Sequence, residues 1–495
     1  MQIILAGFNV DADVLAELKG DEIRDDLTPE TLSAAYARIS RNPKPVNELR
    51  SLARQEVAKA RRSNRNIIFS MGHHSVAEHA VFNFDILDIS RLAIEEIEHF
   101  RLCSFTEKSQ RYIKLKDDYV IPTEIQGTPF EKDFHALIHT QNEAYLKFYT
   151  SLQDAYLVKY RSQDPDKELK RAAKMRANED ARYVLSLATR GQLGMTVNAR
   201  NLELVLRRFA SHDNGEIQDI GQRIYTCVNQ IAPSIVLFTE SNPYDQQVYK
   251  ELKEFADTVI SHHSGTDIPD VTLLGYTENA DRVLMAALLH RVHHQPFEIC
   301  QKEVEKLSLE QCRSLIMKTF EHVELYDTVL REFEFINLHF ELVVSAACFA
   351  QLKRHRMATV CPQDYHPELG ARIPPSIQEL GLTADFQQIM HQSEKYYHTL
   401  RKHYPSSAPY VLTNAHRRRV HFGCNARELY HISRLREDHY AQWDIRDISL
   451  RMSKSAAKVM PLTTMFLCGK DHYPSLYQEI FGHPPKVIQP ELPGE

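Results

Sequence analysis

Four stretches of this 495-residue chain concentrate groups able to bind and polarise a small anionic ligand. The first, Arg101-Leu102-Cys103-Ser104-Phe105-Thr106-Glu107-Lys108-Ser109-Gln110-Arg111-Tyr112, directly follows an apolar helical stretch. Ser109 and Arg111 place a hydroxyl and a forked guanidinium in one short loop, the donor set that a monophosphate accepts. Upstream of it, Gly72-His73-His74-Ser75-Val76-Ala77-Glu78-His79 adds imidazoles, a hydroxyl and a carboxylate ahead of a strand. The other two are basic runs, KRHR at 353–356 and HRRR at 416–419. In a chain of net charge -6 they suit a few discrete phosphates better than a duplex, although a solvated helix face is the ordinary alternative. Neither G-x-G-x-x-G nor G-x-x-x-x-G-K-[ST] occurs, so phosphate binding must come from arginines and helix N-termini.

The elements that would carry these groups occur twice. LSAAYARIS (32–40) reads as an amphipathic helix, matched by ADRVLMAALLH (280–290). A period-2 segment over 81–86 predicts a half-buried strand, as does 333–340. Each strand runs into a helical stretch that ends in a polar motif. Each half then closes on N-A-R, an apolar helix with arginines, and E/D-I-x-D-I: MTVNARNLELVLRRFASHDNGEIQDI in the first half, FGCNARELYHISRLREDHYAQWDIRDI in the second. The order implies a tandem duplication. Two domains are expected, residues 1–240 and 241–495, linked near TESNPYDQQVY (239–249), with a second break at SHHSGTDIPD (261–270).

This pattern resembles the ThyX family of flavin-dependent thymidylate synthases, whose signature R-H-R-x-x-S-x-N-E-x-S-x-R-Y is preceded by G-H-x-[ST]-x-x-E-H and followed by T-V-N-A-R. TVNAR at 196–200 matches letter for letter. The first copy keeps Arg101, Ser104, Glu107, Ser109, Arg111 and Tyr112 but has His99-Phe100 for the opening R-H and Thr106 for Asn. The resemblance makes Glu107, Ser109, Arg111 and Arg182 the dUMP contacts, with Ser75 and Glu78 near the flavin. The second copy is reversed. Arg354-His355-Arg356 is intact, as is Gln351 one turn earlier, and Arg354, His355 and Arg356 imply flavin contacts, whereas the rest decays to Thr359, Cys361, Pro362, Asp364 and His366, the upstream motif survives only as Glu334, and Pro409 stands opposite Arg182. Asn198 and Arg200, like Asn425 and Arg427, imply contacts beside the flavin. Arg208 and Arg436 imply the arginine that stabilises enolate-like charge on the pyrimidine, with Arg207 left as an alternative to Arg208. The implied fold is α+β, each domain with helices packed on a mostly antiparallel sheet.

The implied reaction uses FAD, with NADPH and methylenetetrahydrofolate as co-substrates, and needs no cysteine nucleophile. One composite site shared by the unlike copies is expected, with a homodimer mimicking the family tetramer. Another flavin-dependent reaction, or a non-catalytic nucleotide- or flavin-binding scaffold, is the alternative. The 8 scattered Cys contain no C-x-x-C pair, which points to a reducing compartment. The N-terminus lacks a basic n-region, and nowhere do eighteen apolar residues run together. A cytoplasmic chain with no membrane or nucleic-acid partner is the expectation. His290, His293, His294 and Glu298 on one helix, or His73, His74, Glu78 and His79, have metal-ligand spacing; chance in a chain with 25 His accounts for the first set and the repeat for the second, so no metal is expected.

Overall fold

The structure, a computed structural model, describes residues 1–18, 26–115, 118–159, 167–261, 269–325 and 327–486. It divides into two compact units, Met1–Ser264 with Ile373–Asn414, and Gly265–Arg372 with Ala415–Glu495. The first holds an antiparallel sheet of β1 (Gln2–Phe8), β2 (Val81–Ser90), β3 (Cys103–Glu107) and β4 (Arg190–Asn198), in the order β1-β2-β4-β3. The second holds β5 (Val271–Tyr276), β6 (Asn337–Ser345), β7 (Thr359–Pro362) and β8 (Arg417–Asn425), in the order β5-β6-β8-β7. The same order twice, with helices on one face of each sheet, is the duplicated α+β fold.

Alternation decides which face is covered. Phe82, Phe84 and Ile86 of β2 and Leu193, Met195 and Val197 of β4 are buried, while Asn83 and Asp85 between them are exposed. Helices Ala199–Ala210 and Gly215–Ile231 cover that apolar face with Leu202, Leu206, Ile220 and Ile224. Each such side chain contributes about 1.5–3 kcal/mol on leaving water. In the second unit Leu338, Phe340, Val420 and Phe422 pack in the same way under Ala426–Arg436 and Trp443–Val459.

The first copy has one residue more between Glu78 and Ser90 than the second has between Glu334 and Ser345. The sheet absorbs it as a bulge: the β2/β4 register shifts between Leu87 and Ile89, with Asp88 at φ 57, whereas β6 pairs with β8 without a shift. Strand pairing and facing are thus unchanged at both ends of the insertion.

Two sequence expectations are corrected. The strand expected over 333–340 begins only at Asn337, because Arg331–Phe335 is a 3-10 turn that buries Phe333 and exposes Phe335. It matches the 3-10 turn His74–His79 of the first copy. His290, His293, His294 and Glu298 do not share one helix: the first helix ends at Val292, His293 is its extended C-cap, and Glu298 belongs to Phe297–Glu305, which starts behind Pro296. Around the expected link, Asn242 caps a helix Pro243–Val259 that buries none of its residues. Most of 261–270 lies outside the described residues.

Within the first unit, a segment from the second half of the sequence packs on the first repeat. Helix Thr383–Arg401 lies on the long helix Pro129–Lys159, with Gln141 Nε2 donating to Ser393 Oγ at 2.8 Å and Phe148 stacked on Phe386 at 6.3 Å. Ser186 and Thr413 form an antiparallel bridge, flanked by Leu187 N–H to Leu412 O (2.8 Å) and Asn414 N–H to Leu185 O (2.9 Å). Each member is separated from its counterpart by the interval between Asn198 and Asn425, so within this unit equivalent residues of the two repeats pair reciprocally.

Candidate active site

Both repeats build the same polar frame. The Asn of N-A-R caps the following helix: Asn198 accepts from Asn201 N–H at 3.0 Å, and Asn425 from Glu428 N–H at 2.8 Å. The Arg two positions later pairs with the glutamate of the 3-10 turn, Arg200 with Glu78 (2.5 Å) and Arg427 with Glu334 (2.9 Å). At the end of the central strand Ser90 donates to Glu216 (2.6 Å) and Ser345 to Asp444 (2.5 Å). Asn198 and Asn425 therefore hold the backbone that presents the arginines. Ser75, Glu78 and Arg200 stand on an exposed rim. His73 approaches Arg41, and His79 sets its ring edge against Tyr36, so these imidazoles and Glu78 have separate partners.

The phosphate-type donors gather in the first repeat. Ser109 Oγ accepts the Arg111 N–H at 3.2 Å, forming a tight turn after β3, which ends at Glu107. The Arg111 guanidinium pairs with Glu179 at 2.7 and 2.6 Å. Arg182, on the 3-10 turn that follows, is 7% exposed, donates through Nε to Glu179 O at 3.2 Å, and buries an Nη2 that has no hydrogen-bond partner. Burial pushes its acidity up, with the nearby Arg111 and Arg91 adding to the effect and Glu179 opposing it. A buried guanidinium with an unused donor beside a second arginine has the chemistry to accept an anion. A cavity of about 230 Å³ lined by Lys108, Ile113, Lys114, Leu115, Asp118 and Arg190 opens next to this loop. The second repeat has none of these donors: Asp364 stands for Ser109, Pro409 for Arg182, and His366, for Arg111, is paired with Glu368 at 2.9 Å.

The basic motif of the second repeat points its side chains both ways. Arg354 and Arg356 are exposed, while His355 is 2% exposed. His355 Nε2 accepts from Arg436 Nε at 2.9 Å, and Arg436 Nη2 also reaches Gln351 O at 3.3 Å. Burial, with Arg436 and His431 nearby, holds the imidazole well below its ordinary pKa, so it is the neutral acceptor this bond requires. His355 Nδ1 lies 3.3 Å from Glu428 without hydrogen-bond alignment, and burial raises the Glu428 pKa. The motif thus presents two exposed arginines, of which Arg354 donates through Nε to Ala350 O at 3.3 Å, and one inward imidazole that orients Arg436.

Counting from the capping asparagines, Phe209 occupies the place of Arg436, and counting from Ser90 and Ser345 at the end of the central strands, Phe100 occupies that of His355. Those two rings pack edge to face at 5.7 Å. A polar pair in one copy is an apolar pair in the other. Arg207 corresponds to Arg434 and Arg208 to Leu435, so Arg208 and Arg436 are not equivalent positions. Arg208 is exposed and 4.0 Å from Asp245, whose 2.9 Å partner is Arg207. Sequence reading did not single out Glu179, Phe209 or Asn414, of which only Phe209 had a signal, the spacing from N-A-R.

Of the eight cysteines only Cys361 is exposed, and burial pushes the Cys348, Cys424 and Cys468 thiols up. Among the described residues one ligand-type group of three stands together, Asp438, His439 and Asp471, in which His439 Nδ1 and Asp471 already share a 2.7 Å hydrogen bond. No described helix is long and apolar enough to cross a membrane.

Residues 23–234 and 272–462 match the family described as Thy1, thymidylate synthase complementing protein. A flavin-dependent thymidylate synthase of Clostridium tetani is 30% identical over 219 residues, 43% of this chain and 83% of that protein. UPF0159 proteins of Thermoplasma acidophilum and Chlamydia muridarum match along most of the chain, at 22% and 24% identity over 86% and 83% of it and over 93% and 81% of their own lengths. A solved ThyX of Helicobacter pylori complexed with FAD and dUMP aligns with a TM-score of 0.31 and 16% identity, over 48% of this chain and 100% of that one. With its family match running through both repeats, the chain belongs to the Thy1 (ThyX) family and carries the family's domain twice.

Proposed function

We propose that this chain is a flavin-dependent thymidylate synthase, converting dUMP to dTMP with methylenetetrahydrofolate as one-carbon donor and NADPH as reductant. The observation that carries the reading is reciprocal loss inside a common frame. The first repeat keeps Ser109, Arg111 and the buried Arg182 but has Phe100 on Phe209; the second keeps His355 on Arg436 but has Asp364, His366 and Pro409. Indifferent decay would not leave each copy with the half the other lacks.

In this reading Ser109, Arg111 and Arg182 take the dUMP phosphate, with Glu107 at the head of the same loop. Binding would give the Arg182 Nη2 the acceptor it lacks. The residues also fit a flavin dinucleotide: Arg354 and Arg356 are exposed two positions apart, a spacing that suits adjacent phosphates. Ser75, Glu78, Asn198, Arg200, Asn425 and Arg427 form the frames assigned to flavin contact. FAD, when bound, supplies the hydride that completes the methyl group. Arg436, fixed by neutral His355, is the cation suited to negative charge developing at a pyrimidine carbonyl, and its orientation is set before the reaction. The raised thiols suit a route without a cysteine nucleophile. Two chains would together supply four family domains, and a homodimer is the assembly proposed.

Purified protein should carry FAD whose absorbance bleaches with NADPH, and it should form dTMP when dUMP and methylenetetrahydrofolate are added. Flavin bleaching without dTMP would point to another substrate, and absence of both flavin and nucleotide binding would refute the reading.

A further inference from the structure

Asn414 is 1% exposed and follows Thr413, whose bridge to Ser186 pairs equivalent residues of the two repeats. Its Nδ2 donates twice, to Gln110 Oε1 at 3.0 Å and to the Arg182 carbonyl at 2.9 Å. Both acceptors belong to the anion-binding half of the first repeat. Gln110 stands between Ser109 and Arg111, and Arg182 carries the buried guanidinium with the unused donor. One amide from the second repeat therefore ties together two elements far apart in the first repeat's sequence. The amide orientation follows from the partners, because a flipped group would set oxygen against both acceptors.

Stability alone does not explain an asparagine here. Its Oδ1 is buried without a hydrogen-bond partner, a penalty that an apolar side chain would avoid. Its counterpart in the first repeat, by the same interval, is Leu187, which is fully buried. The backbone bridge also survives replacement, since Asn414 N–H to Leu185 O needs no side chain.

We propose that Asn414 is a positioning residue by which the second repeat sets the geometry of the first repeat's nucleotide loop; this rests on the reading of that loop as the phosphate site. The degenerate copy thus contributes to nucleotide binding although its own loop has lost the donors. Gln110 is held so that Ser109 and Arg111 face the same point as Arg182. Without the tether, the loop after β3 samples orientations in which these donors no longer converge, and binding must first restore the order.

The test is Asn414→Leu in the full chain, which copies the residue that the first repeat uses at this place. Titration with dUMP should show a Kd raised about tenfold. The melting temperature should change little, because removing the unpartnered Oδ1 offsets the two hydrogen bonds lost. In a Gln110→Ala background the same substitution should weaken dUMP by markedly less, since the tether to the loop is already cut. Asn414→Ala serves as a second variant should leucine crowd the site. Wild-type dUMP affinity in both variants would overturn the proposal. If the unaltered chain binds no dUMP, the nucleotide reading fails by itself, and the positioning claim is then decided by hydrogen exchange. Amides of residues 109–111 should exchange faster in Asn414→Leu, and unchanged protection would overturn it.

Discussion

His355 and Arg436 can be exchanged for the pair that the first repeat uses. His355→Phe alone leaves the Arg436 guanidinium, which donates to His355 Nε2 at 2.9 Å, facing a ring that cannot accept. Stranding a partly buried donor of this kind costs about 1–3 kcal/mol. Arg436→Phe alone strands the buried imidazole at a similar cost. The double variant recreates Phe100 against Phe209, whose rings pack at 5.7 Å on the same frame, and an edge-to-face pair contributes about 0.5–1.5 kcal/mol beyond its buried area. Calorimetric melting should therefore show each single variant lowered by about 2–4 °C per kcal/mol lost. The double variant should recover most of the loss, a coupling of about 1–2 kcal/mol. Its catalytic activity should be absent, since the arginine is gone. Additive losses in the double variant would refute the claim that the repeats carry interchangeable polar and apolar versions of one contact.

Arg111→Ala and Arg182→Ala should each raise the dUMP Kd by tenfold or more while FAD stays bound, since a charge-assisted hydrogen bond contributes about 1.5–3 kcal/mol; Asp364→Ala in titration with dUMP is the control and should bind normally. Arg354→Ala and Arg356→Ala should release FAD by a similar factor, measured as flavin absorbance retained after gel filtration. His355 is held neutral in the folded chain, so below the ordinary histidine pKa of about 6.5 the unfolded chain takes a proton that the folded chain refuses. Stability contributed by this site should thus fall as pH drops from 7.5 to 5.5, by up to about 1.4 kcal/mol per pH unit, and His355→Phe/Arg436→Phe should melt with a shallower acid dependence.

Local pattern made the repeat and the frame legible. Alternation placed Phe82, Phe84 and Ile86 on one sheet face, and the spacing of N-A-R located Asn198 and Asn425, whose capping role needs only their position before a helix. The apolar alternation at 333–340 misled because Phe333 is buried by a turn, and buried turns and strands can share a period over a few residues. His290 to Glu298 looked like one helix because the spacing ignored Pro296. The inward direction of His355 was not legible: two arginines and a histidine in a row do not say which side chain turns to the core. Asn414 lay beyond reach for another reason, since its partners Gln110 and Arg182 are hundreds of positions away.

The number of ligands that one chain holds separates reciprocal loss from an intact tandem. A fully equipped tandem would bind two nucleotides and two flavins per chain, whereas reciprocal loss leaves donors for one of each. Calorimetric titration of the flavin-loaded protein with dUMP, with FAD released and quantified against protein, should give one dUMP and one FAD per chain. Two tight dUMP per chain, or none, would contradict it.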